Sequence, residues 1–240
     1  MNIGVIFAGG VGSRMNSKDK PKQFLEIYNK PIIVHTIEHF QNNNLIDAVV
    51  VVCVEDWIDY FNELVLGYRL DKVKKVVPGG ETGQLSIYYG LLAAKEVAQD
   101  EKTVVLIHDG VRPLISPELL SKNITDVNQY GSSITSGIVK ETVVEIYDNG
   151  DIKLVPDRAH SRVAKAPQCF WLNDILSVHK RALESGRTDF IDSCSIMHTY
   201  GYSLHMTEGP YENIKITTPD DFYTMRAILQ AKEDSQINGN

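Results

Sequence analysis

Cysteine is scarce in this chain: Cys53, Cys169 and Cys194 are the only three, an odd count with no C-x-x-C pair. That excludes a disulfide framework and a clustered zinc site, and it fits a reducing compartment. Positive charge is also short, with 24 Lys and Arg against 31 Asp and Glu for a formal net charge of -7. A protein that grips nucleic acid through a broad basic surface is thereby excluded, although a local basic pocket is not. Long apolar runs are missing as well. Residues 1–8 are apolar but carry no basic flank, and they meet Gly9-Gly10 too early for a signal peptide or a membrane span, so no membrane association and a cytoplasmic location are expected. Repeats and low-complexity stretches are absent apart from a polar tail at 233–240. What is present is ordinary: 43% hydrophobic and 23% charged residues over 240 positions, enough for one large globular domain, expected over 1–232.

Short β-branched runs alternate with longer amphipathic stretches, the pattern of βαβ units on a parallel sheet. The periodicity predicts strands over 3–7, 47–54, 74–77, 103–107 and 133–139. It predicts helices over 31–40 with proline at the start, over 56–66, through Ile87, Leu91, Leu92 and Val97, and from Ser116-Pro117 onward. Segments 169–172, 173–183, 192–200, 203–207, 213–216 and 219–231 complete the alternation. Between 141 and 165 the texture changes to short alternating strands around Asn149-Gly150, a two-residue hairpin signal, so this stretch is expected to project as an arm. The fold class expected is α/β, Rossmann-like, with a mostly parallel sheet, helices on both faces and an embedded hairpin arm.

The first strand runs into Ala8-Gly9-Gly10-Val11-Gly12-Ser13-Arg14. Bare glycine backbone lets N–H groups approach phosphate oxygens, though glycines alone fit a tight strand turn too. Met15 stands where a Rossmann fingerprint needs its third glycine, and no Gly-Lys-Ser/Thr follows, so neither a dehydrogenase nor a P-loop NTPase is well matched. Arg14 and Lys22 add the charge that a polyphosphate would need. Asp109 ends an apolar strand at the carboxyl edge, where it could either cap a turn or, beside a phosphate loop, ligate Mg²⁺. The plain readings of the remaining candidates are an ion pair that orients the loop for Arg112, a first-turn helix residue or cap for Ser86, and a solvent-facing strand lysine for Lys215 between Ile214 and Ile216. His35, His39, His179 and His198 lie on predicted helices without ligand spacing.

Taken in order, the glycine loop, Pro21-Lys22-Gln23-Phe24, Gly79-Gly80, Ser86, His108-Asp109-Gly110-Val111-Arg112-Pro113, Pro156-Asp157-Arg158-Ala159-His160, Pro167-Gln168 and Asn213-Ile214-Lys215-Ile216-Thr217-Thr218 span nearly the whole chain. Together they resemble the cytidylyltransferases that act on methylerythritol 4-phosphate and on ribitol 5-phosphate. The resemblance implies in-line attack of a polyol phosphate on the α-phosphorus of CTP, with Mg²⁺ as cofactor and CTP and a polyol phosphate as partners. It assigns Arg14 and Lys22 to the triphosphate, Lys215 to the α-phosphate and Asp109 to the metal. Ala8, Gly9, Gly10, Gly12, Gly79, Gly80 and Ser86 fall to the nucleotide. Thr142 and Arg158 fall to the acceptor phosphate, Thr142 reaching into a neighbouring subunit, which implies a homodimer.

The departures lie in Gly79-Gly80-Glu81-Thr82-Gly83-Gln84-Leu85-Ser86, which lacks the family's usual arginine, at Ala166 in place of a threonine before Pro-Gln, and at Ser193 in place of an acidic residue. The arm and the 211–218 stretch resemble the ribitol phosphate branch more closely, so a pentitol 5-phosphate is expected as acceptor, for cell-surface polymer synthesis. Methylerythritol phosphate cytidylylation and a non-catalytic nucleotide-binding relative are the alternatives.

Overall fold

The computed structural model describes residues 1–10 and 20–238, with side chains to 234. A central sheet carries the chain's β-branched runs. Its strands are β1 (Asn2–Ala8), β4 (Ala48–Cys53), β5 (Val73–Pro78), β6 (Val104–Asp109), β7 (Ser132–Ile138), β10 (Arg162–Trp171) and β11 (Met206–Glu208). Two small hairpins, β2 (Glu26–Ile27) with β3 (Lys30–Pro31) and β8 (Glu145–Ile146) with β9 (Ile152–Leu154), stand apart from it. The order across the sheet is β11-β7-β10-β6-β1-β4-β5, and every neighbouring pair is parallel except those that β10 makes with β6 and β7.

Successive residues of a strand face opposite sides, and both sides here are apolar. Ile6, Val49, Val51 and Leu106 face one layer, made by α1 (Ile32–Gln41), α2 (Ile58–Gly67) and α4 (Pro117–Tyr130). Val5, Val50, Val105 and Ile107 face the other, made by α3 (Gly83–Val97), α5 (Leu172–Glu184) and α6 (Ser193–Thr199). Helix α3 packs on the sheet at Gly90, where a Cβ would stand 2.7 Å from Val5 and Val52 side-chain carbons. A third apolar cluster, with Ile32, Leu114, Ile216 and Met225, seats α7 (Pro219–Asn238) against the β2–β3 hairpin. Among the described residues no helix is long and apolar enough to cross a membrane.

From β1 the chain builds outward to β4 and β5 on one side, then returns to place β6 on the other. The strand order thus reverses between β1 and β6, and open α/β sheets bind ligands beyond the carboxyl ends of the strands at such a point. Phe7 is in register with Asp109, and Ala8 with Cys53, so the glycine loop and the acidic strand end lie side by side.

Several boundaries differ from expectation. Segment 213–216 pairs with no strand; Ile214 and Ile216 alternate because they pack toward α7, and the backbone is tied instead by Ile216 N–H to Val111 O at 2.9 Å. Strand β10 begins at Arg162, well before 169, with a register shift between Ala164 and Gln168 around Pro167, which has no N–H to pair. The arm hairpin turns through a three-residue loop: Tyr147 N–H reaches Asp151 O, and Gly150 alone takes a positive φ of 89°, so Asn149-Gly150 is not the two-residue turn expected. The polar residues after 232 prolong α7 to Asn238.

Candidate active site

Bare backbones converge where the nucleotide is expected. The β5 loop is held to β4 by Gly79 N–H donating to Cys53 O at 2.9 Å. A Cβ on Gly79 would lie 3.5 Å from Gly9 Cα and 3.2 Å from Ser86 Oγ, so the loops after β1 and β5 pack glycine against glycine over that hydroxyl. Ser86 Oγ accepts from Gly80 N–H at 3.0 Å and donates to Thr82 O at 3.0 Å. The cap of α3 is Thr82, which accepts from Leu85 N–H, and Ser86 is the first-turn residue that braces Gly79-Gly80. Among the described residues nothing lies within 4 Å of where a Gly10 Cβ would point. Gly12 and Arg14 lie outside the described residues.

Lys22 belongs to a short 3₁₀ turn, Lys22–Phe24, anchored on both sides. Gln23, which the motif contained but to which no role was given, is buried and donates Nε2 to Ala8 O at 2.6 Å. Phe24 stacks on Trp57 with centroids 5.1 Å apart. The Lys22 ammonium donates to Ile216 O at 3.1 Å.

Asp109 is 4% exposed and sits between two cations. Its Oδ1 is 2.6 Å from Lys215 Nζ and its Oδ2 is 3.2 Å from Arg112 Nε. Burial pushes this carboxyl's pKa up, but the Arg112 and Lys215 charges outweigh it and leave the pKa below its ordinary value, so the group is ionised. Arg112 has the ion-pair role expected of it, and its guanidinium also donates to Asn213 O at 2.9 Å. His108, neutral because burial drives its pKa down to about 3, meets Arg112 O at 3.0 Å through Nε2.

Lys215 is not a solvent-facing strand lysine. Its loop is pinned ahead by buried Asn213, whose Nδ2 donates to Ala166 O at 2.7 Å. Behind it, Asp221 accepts from Thr217 N–H and from both N–H and Oγ1 of Thr218 at the start of α7. The ammonium therefore points inward at the strand-end carboxylate.

A single cleft joins Phe7, Asp109, Arg112 and Lys215 to Lys165, Gln168, Asp192 and Ser193. Gln168 Nε2 donates to Asp192 Oδ2 at 2.8 Å, and its Oε1 accepts from Cys194 N–H at 2.8 Å. Ala166 and Ser193, two of the departures noted above, line this end, and Gly83 lines it too. Thr142 and Arg158 do not line the cleft; both are exposed on the arm, with Arg158 reaching Lys140 O at 3.5 Å. The hairpin also exposes Ile146, Ile152 and Leu154.

Among the described residues no cluster of three His, Cys, Asp or Glu side chains could hold a metal by itself. The chemistry of Asp109 nevertheless fits Mg²⁺ in its usual mode: one ionised carboxylate, completed by substrate phosphates and water. Each carboxylate oxygen has two lone-pair sites, so the contacts to Lys215 and Arg112 do not exhaust them.

A "Ribitol-5-phosphate cytidylyltransferase" of Streptococcus agalactiae serotype III is 61% identical over 239 residues, covering 100% of both chains. A "2-C-methyl-D-erythritol 4-phosphate cytidylyltransferase" of Clostridium botulinum is 39% identical over 229 residues, covering 95% of this chain and 97% of the relative. The crystal structure of a 4-diphosphocytidyl-2C-methyl-D-erythritol synthase from Anaerococcus prevotii superposes with a TM-score of 0.81 at 27% identity, covering 95% of this chain and 96% of that one. The family model for IspD, 2-C-methyl-D-erythritol 4-phosphate cytidylyltransferase, matches residues 3–231, and the chain belongs to this family of cytidylyltransferase enzymes.

Proposed function

We propose that this enzyme transfers CMP from CTP to ribitol 5-phosphate, giving a CDP-pentitol and pyrophosphate in the cytoplasm for cell-surface polymer synthesis. The observation that carries the chemistry is the Lys215 ammonium held 2.6 Å from Asp109 at the carboxyl end of β6, beside the glycine loop of β1. Relatedness carries the choice of acceptor. Identity is 61% to the relative named for ribitol 5-phosphate and 39% to the one named for methylerythritol phosphate, and Ala166 and Ser193 alter the acceptor end of the cleft.

An oxygen of the acceptor phosphate attacks the α-phosphorus of CTP, and the bond from that phosphorus to the β-bridging oxygen breaks as pyrophosphate leaves. No covalent enzyme intermediate is needed, so the protein contributes position and charge. The backbone at Ala8, Gly9 and Gly10 receives the triphosphate with Lys22 beside it, and the family resemblance assigns Arg14 and Gly12 to the same ligand. Gly79, Gly80 and the Ser86 brace receive the nucleoside. Lys215 neutralises charge growing on the α-phosphate. Asp109 would hold Mg²⁺, which would supply positive charge that lowers the repulsion of the phosphates toward the nucleophile. Thr142 and Arg158 meet the acceptor phosphate, Thr142 by reaching into the neighbouring subunit's site, so a homodimer completes the site. Incubation with CTP, Mg²⁺ and a panel of ribitol, arabinitol, glycerol and methylerythritol phosphates, read by pyrophosphate release, tests the proposal. Preference for methylerythritol phosphate would overturn the acceptor assignment, and no release with any acceptor would favour a non-catalytic relative.

A further inference from the structure

One wall of the cleft carries a cation that the transfer step above leaves unused. Lys165 sits where β10 loses register, and its stem crosses β7 at Gly137, where a Cβ would stand 2.9 Å from Lys165 Cε. Its ammonium donates to Tyr211 O at 3.2 Å and lies 5.6 Å from the centre of the Tyr211 ring. The same ring takes Lys140 Nζ at 3.4 Å, and Lys140 O in turn accepts from Arg158. None of the ion pairs among the described residues involves Lys140 or Lys165.

This arrangement concentrates positive charge that no ion pair neutralises: the Glu212 carboxylate acts on Lys165 but forms no ion pair with it, and its influence is outweighed. Burial lowers the Lys165 pKa, and the Arg112 charge pushes in the same direction. Arg112 already shares the one carboxylate beside it with Lys215, and Asp192 is occupied by Gln168 and by the cap of α6. Like charges held together in a partly desolvated cleft are costly unless an anion joins them, and such a cleft attracts one.

We infer that Lys165, with Lys140 beside it on Tyr211, binds the phosphate of the acceptor, and that Gly137 sets the position of Lys165. The inference rests on the acceptor being a polyol phosphate, as proposed above, and adds a substrate-binding residue on the subunit's own cleft wall.

The test compares Lys165→Gln, Lys165→Arg and Gly137→Ala with the wild type, each checked for an unchanged thermal midpoint. Losing a hydrogen bond to a charged group corresponds to roughly ten- to hundredfold, so Lys165→Gln should raise the acceptor KM by about that factor and leave the CTP KM within about twofold. Lys165→Arg should recover most of the loss. Gly137→Ala keeps the lysine but displaces its flexible stem, and it should give a smaller rise in the same constant. An unchanged acceptor KM in a folded Lys165→Gln variant overturns the inference, as does an equal rise in the CTP KM. Calorimetric titration with inorganic phosphate separates this result from failure of the acceptor reading. If the wild type turns over no polyol phosphate, that reading falls, while phosphate binding that is weaker in Lys165→Gln than in wild type still supports the lysine's role and equal binding removes it.

Discussion

Replacing Lys215 by alanine perturbs the site at its shortest charged contact. The ammonium lies 2.6 Å from an Asp109 carboxylate that is almost fully buried, yet 40% of the Lys215 side chain remains exposed, so solvent screens part of the interaction. A hydrogen bond to a charged group contributes ~1.5–3 kcal/mol, and the exposure argues for the lower part of that range, which corresponds to roughly a ten- to thirtyfold loss of rate. The loss should fall on kcat rather than on the CTP KM, because negative charge on the α-phosphate grows only in the transition state. A second signature follows from Asp109. Burial raises its pKa and Arg112 with Lys215 lower it, so without Lys215 the pKa should rise and the acid limb of the rate should move to higher pH. Steady-state pyrophosphate release measured across the acid range reads both effects, with Lys215→Arg expected to retain a normal acid limb. A kcat within about twofold of wild type in a folded variant, or an acid limb that stays in place, would refute the assigned role.

Asp109→Asn keeps the shape of the strand end but removes the charge, and should raise the Mg²⁺ concentration needed for half-maximal rate; an unchanged Mg²⁺ titration returns Asp109 to a structural role. His108 and His179 are buried neutral, with pKa values driven down by burial to about 3 and about 4. Their unfolded forms take up protons below about pH 6.5 while the folded forms do not, so unfolding free energy should be fullest above that pH and fall as pH drops toward those folded values, by up to ~1.4 kcal/mol per pH unit for each histidine. Urea unfolding at graded pH measures this, and a flat profile from pH 6.5 to 5 contradicts it. Mixing inactive Lys22→Ala subunits with inactive Thr142→Ala subunits should restore activity if the arm completes the partner's site. A monomer by light scattering, or exchange-competent mixtures that stay inactive, would leave the arm over its own cleft.

The sheet was legible because its strands obey a local rule. Val49 to Val52 alternate between two apolar layers, so β-branched residues without a polar face announce a strand covered on both sides. Asp109 was legible for the same reason, as the polar end of such a run. The error at 213–216 shows where the rule stops: Ile214 and Ile216 alternate as a strand would, but what they meet is α7, an element that only the tertiary fold brings near. Lys165 carried no signal in its own neighbourhood. Gly137 and Tyr211, which give it a position, are distant in sequence and join it only because β10 lies beside β7 and the 211–216 segment crosses above them. Gln23 stood inside a recognised motif, and its bond to Ala8 O could not be anticipated without knowing that the 3₁₀ turn folds back on β1.

That 211–216 segment explains how the site keeps its charge in place before substrate arrives. Lys165 is held by Tyr211 O, Arg112 by Asn213 O and Lys22 by Ile216 O, three cations on three main-chain carbonyls of one short stretch. A carbonyl fixes an ammonium or guanidinium without cancelling its charge, whereas a carboxylate would fix it and neutralise it. Carboxylates act on the same cations: Asp109 is ion-paired with Arg112, Glu212 acts on Lys165, and Lys22 acts on Asp221 at the start of α7, so the carbonyls set orientation while the carboxylates offset part of the charge. For a reaction whose transition state spreads negative charge over phosphate oxygens, cations that are already oriented stabilise that state without reorganising. The segment itself must then be rigid, and it is tied through Asn213 to Ala166, through Ile216 to Val111 and through Asp221 at the start of α7. Asn213→Ala should accordingly disturb all three cations at once: it touches no phosphate, yet it should lower kcat and raise both KM values together. An effect confined to one constant would mean that the three carbonyls do not act as a unit.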